Sequence, residues 1–391
     1  VRVVLGHEAQ HGPTAMSHPD TRNACGGNAS DRPQSVWWLA DTGEEQAAQV
    51  GPKAANLAVM LRAGLPVPLG FCVVAGAYRE HLEAANLMPV IEQVQGAVAA
   101  SQPPADRLAQ IRRAICETPL ADRLSDEIAE CWTGLGGGTV AVRSSATAED
   151  LPDRSFAGQH ETFLGVGDLS TCLERIKECW ASLWLERALE YRRGAGIDGA
   201  ACAMAVLVQR LVPAEASGVM FTADPASGRR DTVVIEAAWG LGPSVVTGQV
   251  RPDRIVVSKR IFRIEKRYTA RKDVEVVPAA GGVRTRPVDA ARAAEPCVDD
   301  SSACWLGHLG ARVEALFGGP QDVEWALADG EIHVLQSRAI TVLPDEPARS
   351  WEDRQVWTDS NVREALPEPI TPMTWSIVLP AVTPLFEPLL K

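Results

Sequence analysis

The sequence lacks any long hydrophobic run. No apolar stretch in its 391 residues approaches the roughly 18 to 20 residues that a helix needs to span a bilayer. Residues 1–34 also lack the charged start and the apolar centre of a secretory signal. These two absences predict a protein that does not span a membrane and stays in the cytoplasm.

Regular cysteine and histidine spacings are missing as well. The nine cysteines are odd in number and form no CxxC pair, and the seven histidines show no metal-ligand spacing. Zinc ligation and a disulfide framework are therefore not expected, and most cysteines should be small buried residues in a reducing compartment. The chain also has no GxxxxGK loop followed by Ser or Thr, no GxGxxG after a strand and no kinase HRD and DFG pair. A nucleotide site in this chain has to be built in another way.

Positive charge is in deficit. The chain has 38 Lys and Arg residues against 50 Asp and Glu residues, which gives a formal net charge of −12. A broad nucleic-acid or anionic-membrane surface needs positive charge spread over one face, so neither partner is expected. Any site for an anion must be local. The apolar fraction of 46% is ample for the packed core of a globular protein.

Helix-rich and strand-rich stretches follow one another along the chain. Residues 1–34, rich in Gly, Asn, Ser, Pro and Asp, predict a disordered N-terminal extension. Residues 36–74 indicate a strand, a helix and a strand, and residues 171–192 carry an apolar stripe that predicts one helix docked on the core. From residue 201 onward the pattern is mainly that of strands. The predicted fold class is therefore α+β, with residues 342–355 as a linker.

Two cations occupy positions that suit an anion. Lys53 lies in the predicted first turn of a helix, where it faces the positive end of the helix dipole, and an anion between the two would reverse the sign of that interaction. Arg143 follows the predicted buried strand TVAV, where its guanidinium can hold a phosphate through two hydrogen bonds. The alternatives are a solvated surface lysine, and an arginine paired with Glu149 or Asp150.

Two successive strands place polar groups on one face. Asp322 and Glu324 alternate with apolar residues along QDVEWAL, and Gln336 and Arg338 share a face of EIHVLQSR. A two-residue turn would put Glu324 and Gln336 on opposite faces, whereas a three-residue loop, Ala328 to Gly330, would put them on the same face. We predict the three-residue loop, which lets a carboxylate, an amide oxygen and an arginine converge on Mg²⁺ and nucleotide phosphates. The alternative is an edge hairpin with a solvated outer face.

Six stretches stand in a fixed order along the chain. They are GPKAANL…GLPVPLGFCV, AVRSSATAEDLPDRSFAGQHETFL, CWASLWLERALEYR, EASGVMFTADPASG, EAAWGLGPSVVTGQVRPD and QDVEWAL…HVLQSRAIT. Together they resemble the ATP-grasp nucleotide-binding domain shared by phosphoenolpyruvate synthase, pyruvate phosphate dikinase and rifampicin phosphotransferase. The resemblance covers residues 35–341 and implies an ATP-grasp fold in which two lobes clasp the nucleotide.

The resemblance also implies roles for individual residues. Arg143 and Arg338 would be catalytic, because they would align the phosphates and neutralise their charge, and Glu324 and Gln336 would hold Mg²⁺. Gln209 would contact the edge of the adenine. The complete ATP-binding set that the resemblance implies consists of Lys53, Arg143, Gly158, Thr162, Phe163, Gln209, Glu324, Gln336 and Arg338.

In enzymes of this kind ATP is split to AMP and phosphate, and the β-phosphoryl group passes through a histidine on a separate domain to the acceptor. None of the seven histidines here lies in the Gly-rich Ser/Thr-Ser-His segment that such a domain carries. Residues 356–391 resemble the start of the acceptor domain that follows the ATP domain in rifampicin phosphotransferases. We therefore expect the front part of a longer enzyme, whether truncated, split into subunits or decayed.

Two functions follow from these expectations. The first is an ATP- and Mg²⁺-binding phosphotransferase module that acts on a rifamycin-like or pyruvate-like acceptor, with the histidine domain and the acceptor domain supplied in trans or missing. The second is a non-catalytic nucleotide-binding remnant or interaction subunit. A competent module would label a histidine domain from radioactive ATP, whereas a remnant would label nothing.

Overall fold

The computed structural model describes residues 34–99, 105–146, 150–151, 154–155, 161–195, 202–246, 248, 250–279 and 281–345. These residues belong to one compact unit, Val1–Asp345. Several sequence predictions fall outside the described residues: the N-terminal extension as far as residue 33, Gly158, and the acceptor-domain start at 356–391. The predicted linker is described only as far as Asp345.

The first sheet has five strands and carries most of the helices. Its strands are β1 (Val36–Trp38), β2 (Gly70–Val73), β3 (Val140–Ala146), β6 (Thr162–Val166) and β7 (Met204–Arg210). They pair in the order β1-β2-β7-β3-β6, and every neighbouring pair is antiparallel. The helices of this half are α1 (Ala47–Arg62), α2 (Ala75–Ala84), α3 (Met88–Ala99), α4 (Ala105–Glu117), α5 (Asp122–Gly134), α6 (Leu169–Ser182) and α7 (Glu186–Ala195).

The central strands of this sheet are buried on both faces. All residues of β2 and β3 are buried, and so are the first six residues of β7. Burial on both faces explains why GFCV and MAVLV are continuous apolar runs and do not alternate with polar residues. The polar residues that do occur in these strands, such as Arg143 and Gln209, therefore lie inside the protein.

The helix predicted for residues 171–192 is divided into α6 and α7. Its docking on the core is confirmed, because Ile176 and Trp180 are fully buried. The prediction of a single helix was wrong. At residues 183–185 three successive backbone amides donate to carbonyls only three residues earlier, so the α-helical pattern is interrupted there. Trp184 at this break donates from Nε1 to the hydroxyl of Tyr78 at 2.9 Å. This tertiary hydrogen bond has no counterpart in the periodicity of the sequence.

The second sheet has six strands, and one long helix covers one of its faces. The strands are β8 (Ala216–Phe221), β9 (Thr232–Trp239), β10 (Asp253–Ser258), β11 (Ile264–Tyr268), β14 (Gln321–Ala328) and β15 (Glu331–Ala339), in the order β11-β10-β9-β8-β14-β15. Helix α9 (Asp300–Phe317) packs against Val233 and Val257 through Gly310 and Gly307, and a Cβ at Gly307 would lie 2.6 Å from Val257. The opposite face carries the polar side chains.

Beside the 3-10 helices Leu39–Asp41 and Arg292–Ala294, four further strands and one short α-helix complete the described fold. They are β4 (Asp150–Leu151) paired with β5 (Arg154–Ser155), β12 (Val274–Ala279) paired with β13 (Gly282–Pro287), and α8 (Pro243–Val246). The β12–β13 hairpin touches both sheets: Leu241, which follows β9, donates from its amide to the carbonyl of Val276 at 2.8 Å, and Gly165 of β6 packs against the carbonyl of Gly282. The mixture of helices and largely antiparallel sheets confirms the predicted α+β class.

The loop predicted for the β14–β15 hairpin was wrong, although its consequence holds. The turn has two residues, Asp329 and Gly330, with φ of 51° and 75°, the left-handed pair that a tight antiparallel hairpin favours. A β-bulge then inserts Leu335 as an extra residue, so that Glu324 lies directly opposite Gln336. The bulge moves the two side chains to one face, which the three-residue loop was expected to do.

Gly51 lies where the backbone leaves no room for a side chain next to strand β3. It has φ of 72° within α1, immediately before Pro52, and a Cβ there would lie 2.5 Å from Ser145 Oγ and 2.6 Å from Ser145 O. Because left-handed strain and a backbone clash add, we expect Gly51→Ala to lower the free energy of unfolding by about 3 kcal/mol. Urea unfolding measures this loss.

Gly64 provides the matched control for this prediction. It has φ of 70°, but no atom lies within 4 Å of the position of its missing Cβ. Gly64→Ala should therefore cost only the left-handed strain, about 1 kcal/mol. Equal losses at the two glycines would contradict a close approach of α1 to β3.

Among the described residues no helix is both long enough and apolar enough to cross a membrane.

Candidate functional site

A cavity of about 360 Å³ lies between the two sheets. The first sheet contributes Ala141, Arg143, Thr162, Leu164 and Gln209 to its wall, and the second contributes Gly218, Glu324, Trp325, Leu335 and Gln336. Five of the nine residues predicted to bind ATP are therefore brought together: Arg143, Thr162, Gln209, Glu324 and Gln336. They come from segments that are up to 193 residues apart in the sequence, as counted from Arg143 to Gln336.

Strand β3 places Arg143 on the cavity wall. Arg143 is only 9% exposed and lies directly opposite Thr162 of β6. Its Nη1 donates to Glu324 Oε2 at 3.2 Å and to the carbonyl of Leu335 at 3.4 Å. Its Nε is buried and has no hydrogen-bond partner within the described part of the chain. A buried guanidinium with an unused donor is suited to an additional anionic ligand.

Lys53 lies next to this strand but outside the cavity wall. The regular part of α1 begins at Pro52, after the non-helical Gly51, so Lys53 is in the first helical turn as the sequence predicts. Its Nζ donates to the carbonyl of Ser144 at 2.9 Å, one residue from Arg143. The two predicted cations are thus neighbours, with Lys53 held against the backbone of β3.

Strands β14 and β15 supply the acidic side of the site. Glu324 and Gln336 face each other across the ladder, and Asp322 and Arg338 do the same two positions further from the bulge. Arg338 Nη2 lies 2.6 Å from Asp322 Oδ2, and the Arg338 side chain, 39% exposed, is not part of the cavity wall. Burial raises the pKa of Asp322, and the Arg338 guanidinium opposes that rise. Arg143 and Arg338 therefore each have an acidic partner on β14.

Apolar side chains make up part of the cavity wall, and one buried side-chain amide is held in place beside them. The apolar lining includes Leu211, Val212 and Leu241. Gln209 is 2% exposed, and its Nε2 donates to the carbonyl of Pro68 at 3.4 Å. Apolar lining with a fixed side-chain amide has the composition of a site for a heterocyclic base.

Thr162 and Phe163 lie on opposite faces of β6. Thr162 and Leu164 line the cavity, whereas the ring of Phe163 lies under the guanidinium of Arg175 on α6, at 4.8 Å. Alternation along a strand makes it impossible for both neighbours to face the same cavity. The structure therefore does not bring Phe163 to the cavity wall with the other predicted residues.

The donor set on the cavity wall suits a magnesium ion that keeps several waters. No group of three or more His, Cys, Asp or Glu residues that could hold a metal occurs among the residues that the structure describes. Glu324 and Gln336 offer one carboxylate and one amide oxygen from opposed positions. Mg²⁺ prefers oxygen ligands and is usually bound by one or two protein groups together with phosphates and water. These two residues fit that pattern.

Sequence reasoning missed Glu236 on β9. Glu236 is paired with Val219, and Val219 is paired with Glu324, so all three side chains share the polar face of the second sheet. Burial raises the pKa of Glu236, an effect that Arg254 opposes. The signal in the sequence was a single acid in the apolar run TVVIEAAW, but its face depends on a register that only the folded sheet defines.

The comparison with protein families identifies the chain. The family described as pyruvate phosphate dikinase, AMP/ATP-binding domain, matches residues 47–356. The match covers most of the chain, so the chain belongs to this family, and the resemblance found in the sequence is confirmed.

Individual relatives point to the same group of enzymes. The chain is 41% identical over 344 residues to a rifampicin phosphotransferase of Streptomyces sviceus, an alignment of 87% of this chain and 39% of the relative. It is 34% identical over 361 residues to a phosphoenolpyruvate synthase of Pyrococcus furiosus, which covers 80% of this chain and 44% of the relative. A probable phosphoenolpyruvate synthase of Pyrococcus horikoshii shows 34% identity over 367 residues, with 81% and 45% covered. The chain thus spans less than half the length of these relatives.

Proposed function

We propose that this chain is the ATP- and Mg²⁺-binding module of a dikinase-type phosphotransferase, with the two sheets forming the two lobes of an ATP-grasp clasp. The observation that carries the proposal is the shared cavity, in which Arg143, Gln209 and Glu324 meet from distant segments of the chain. Membership of an AMP/ATP-binding family supports the same reading. The proposed location is the cytoplasm, with support from eight described cysteines that are all free.

In the proposed complex the apolar part of the cavity wall receives the adenine, and Gln209 contacts its edge. The triphosphate then extends toward β3, where Arg143 binds it and Lys53 adds positive charge. Arg338 neutralises the outer phosphates. Glu324 and Gln336 would hold Mg²⁺, which supplies further charge neutralisation at the phosphate oxygens. Catalysis by this module consists mainly of alignment and charge cancellation, as expected for phosphoryl transfer.

The proposed reaction needs a histidine that a further domain provides. A histidine nitrogen attacks the β-phosphorus, the bond to the α-phosphate oxygen breaks and AMP leaves. Water supplies the oxygen of the phosphate that is then released from the γ position. The remaining phosphoryl group passes to a rifamycin-like or pyruvate-like acceptor on an acceptor domain, for which residues 356–391 are the proposed start.

We expect transfer of label to a histidine domain supplied in trans. The full chain is incubated with Mg²⁺, ATP labelled at the β-phosphate and the purified histidine domain of a related enzyme. A competent module labels that domain, and omission of this chain or of Mg²⁺ abolishes the signal. ATP binding without any label would instead identify a non-catalytic remnant, and absence of ATP binding would reject the module altogether.

A further inference from the structure

Asn56 connects the two halves of the site at a point that the proposed function does not use. Strand β15 is at the edge of the second sheet, so one side of its backbone is not paired within that sheet. On this side Asn56 Nδ2 donates to the carbonyl of Ser337 at 2.9 Å, and Arg143 Nη1 donates to the carbonyl of Leu335 at 3.4 Å. Gln336 lies between these two carbonyls. Two side chains of the first half therefore hold the backbone on either side of Gln336.

Helix α1 reaches both sheets with side chains one turn apart. Lys53 bonds the carbonyl of Ser144 on β3, and Asn56, three residues later, bonds the carbonyl of Ser337 on β15. Residues three apart lie on the same side of a helix. One rigid element thus joins β3 to β15 through two hydrogen bonds that end on backbone atoms, beside the direct bond from Arg143 to the Leu335 carbonyl.

Ser337, whose carbonyl Asn56 binds, is itself held by hydrogen bonds. Ser337 is 2% exposed, and its hydroxyl donates to Gln321 Oε1 at 2.9 Å. The backbone amide of Gln321 donates to Thr222 Oγ1 at 2.8 Å, on the loop after β8. Because Ser337 is anchored from within its own sheet, the bond from Asn56 transmits the position of α1 to the whole strand.

We infer that Asn56 is a positioning residue, which sets the distance of Gln336 and Arg338 from β3 through its hydrogen bond to the Ser337 carbonyl. The inference rests on the proposed function. A phosphate that also took Arg143 Nη1 would remove the donor from the Leu335 carbonyl. Asn56 would then hold this stretch of the edge together with the Val334 amide, which donates to the carbonyl of Pro66 at 2.8 Å. The contribution of Asn56 is therefore larger in the nucleotide complex than in the free protein.

The test compares two nucleotides in one variant. Asn56→Asp keeps the shape of the side chain and removes the donor. We expect the affinity for Mg·ATP to fall about tenfold, the size of one hydrogen bond of about 1.4 kcal/mol, while the affinity for AMP stays within about twofold. Gln336 and Arg338 act on the metal and the outer phosphates, which AMP lacks. Asn56→Ala, which loses the donor without gaining a charge, should show the same selective loss.

The outcomes separate this inference from the proposed function. Gln49→Glu makes the same amide-to-carboxylate change at an exposed position of α1 and should alter neither affinity. Unchanged Mg·ATP affinity in both Asn56 variants, or equal losses for Mg·ATP and AMP, would overturn the positioning role. Wild-type protein that binds neither nucleotide would reject the proposed function itself, and the inference with it.

Discussion

Arg143→Ala is expected to weaken the binding of Mg·ATP roughly 100- to 1,000-fold in calorimetric titration, equivalent to about 3 to 4 kcal/mol. The loss arises because the triphosphate no longer meets a buried guanidinium, whose Nε has no partner within the described chain. Glu324, 3.2 Å from Arg143 Nη1 in the structure, loses its partner as well, but Mg²⁺ at Glu324 would compensate that charge in the complex.

Arg175→Ala is the matched control for this result. Arg175 lies on the opposite face of the first sheet, over the ring of Phe163, and makes an ion pair with Glu178 at 2.5 Å. Its removal should leave Mg·ATP affinity unchanged within about twofold, since surface ion pairs contribute little. The same variant exposes the ring of Phe163, so a large effect on affinity would show that Phe163 belongs to the nucleotide site after all. Undiminished affinity in Arg143→Ala would remove the proposed site.

Glu324→Gln is expected to abolish most of the dependence of ATP binding on Mg²⁺. In the structure Glu324 forms an ion pair with Arg143. The proposed metal ligand and the proposed phosphate ligand are therefore paired with each other. A metal at Glu324 and a phosphate at Arg143 would replace this ion pair together, which makes metal and nucleotide binding mutually reinforcing. The glutamine variant lacks the carboxylate and should bind Mg·ATP roughly 100-fold more weakly than the wild type.

The same variant carries a second, opposite expectation. Without Mg²⁺, in the presence of a chelator, Glu324→Gln should bind ATP at least as well as the wild type. In this variant no ion pair between Arg143 and Glu324 has to be broken before Arg143 binds a phosphate. Glu178→Gln, on the surface of α6, serves as the control and should keep the wild-type response to Mg²⁺. A Glu324→Gln protein whose ATP affinity still rises with Mg²⁺ as much as that of the wild type would exclude Glu324 as the metal ligand.

Local patterns in the sequence predicted those features whose cause is local. The buried strand before Arg143, the helix that begins at Pro52 and the core-facing stripe around Trp180 all follow from periodicity and from the conformational limits of Pro and Gly. The division between α6 and α7 did not follow, because the apolar stripe continues through Trp184, whose bond to Tyr78 on α2 is a tertiary contact that periodicity does not contain.

For the β14–β15 hairpin, the predicted loop length was wrong, but the predicted shared face of Glu324 and Gln336 was correct. The residues Asp329 and Gly330 are typical of a two-residue turn, and the structure has that turn. The sequence carried no sign of the bulge at Leu335, since any residue can take this position when neighbouring strands fix the register. The shared face of Glu324 and Gln336 is thus a property of the pairing of β14 with β15.

The sequence by itself determined the α+β composition, the family and the kinds of side chain that could bind a phosphate and a metal. Only the tertiary structure decided which of those groups meet: it paired Arg143 with Glu324, turned Phe163 away from the cavity and joined Asn56 to Ser337. The reason is physical. Periodicity fixes the face of a residue within its own helix or strand, whereas the packing of two sheets and the register of an edge strand decide what that face meets.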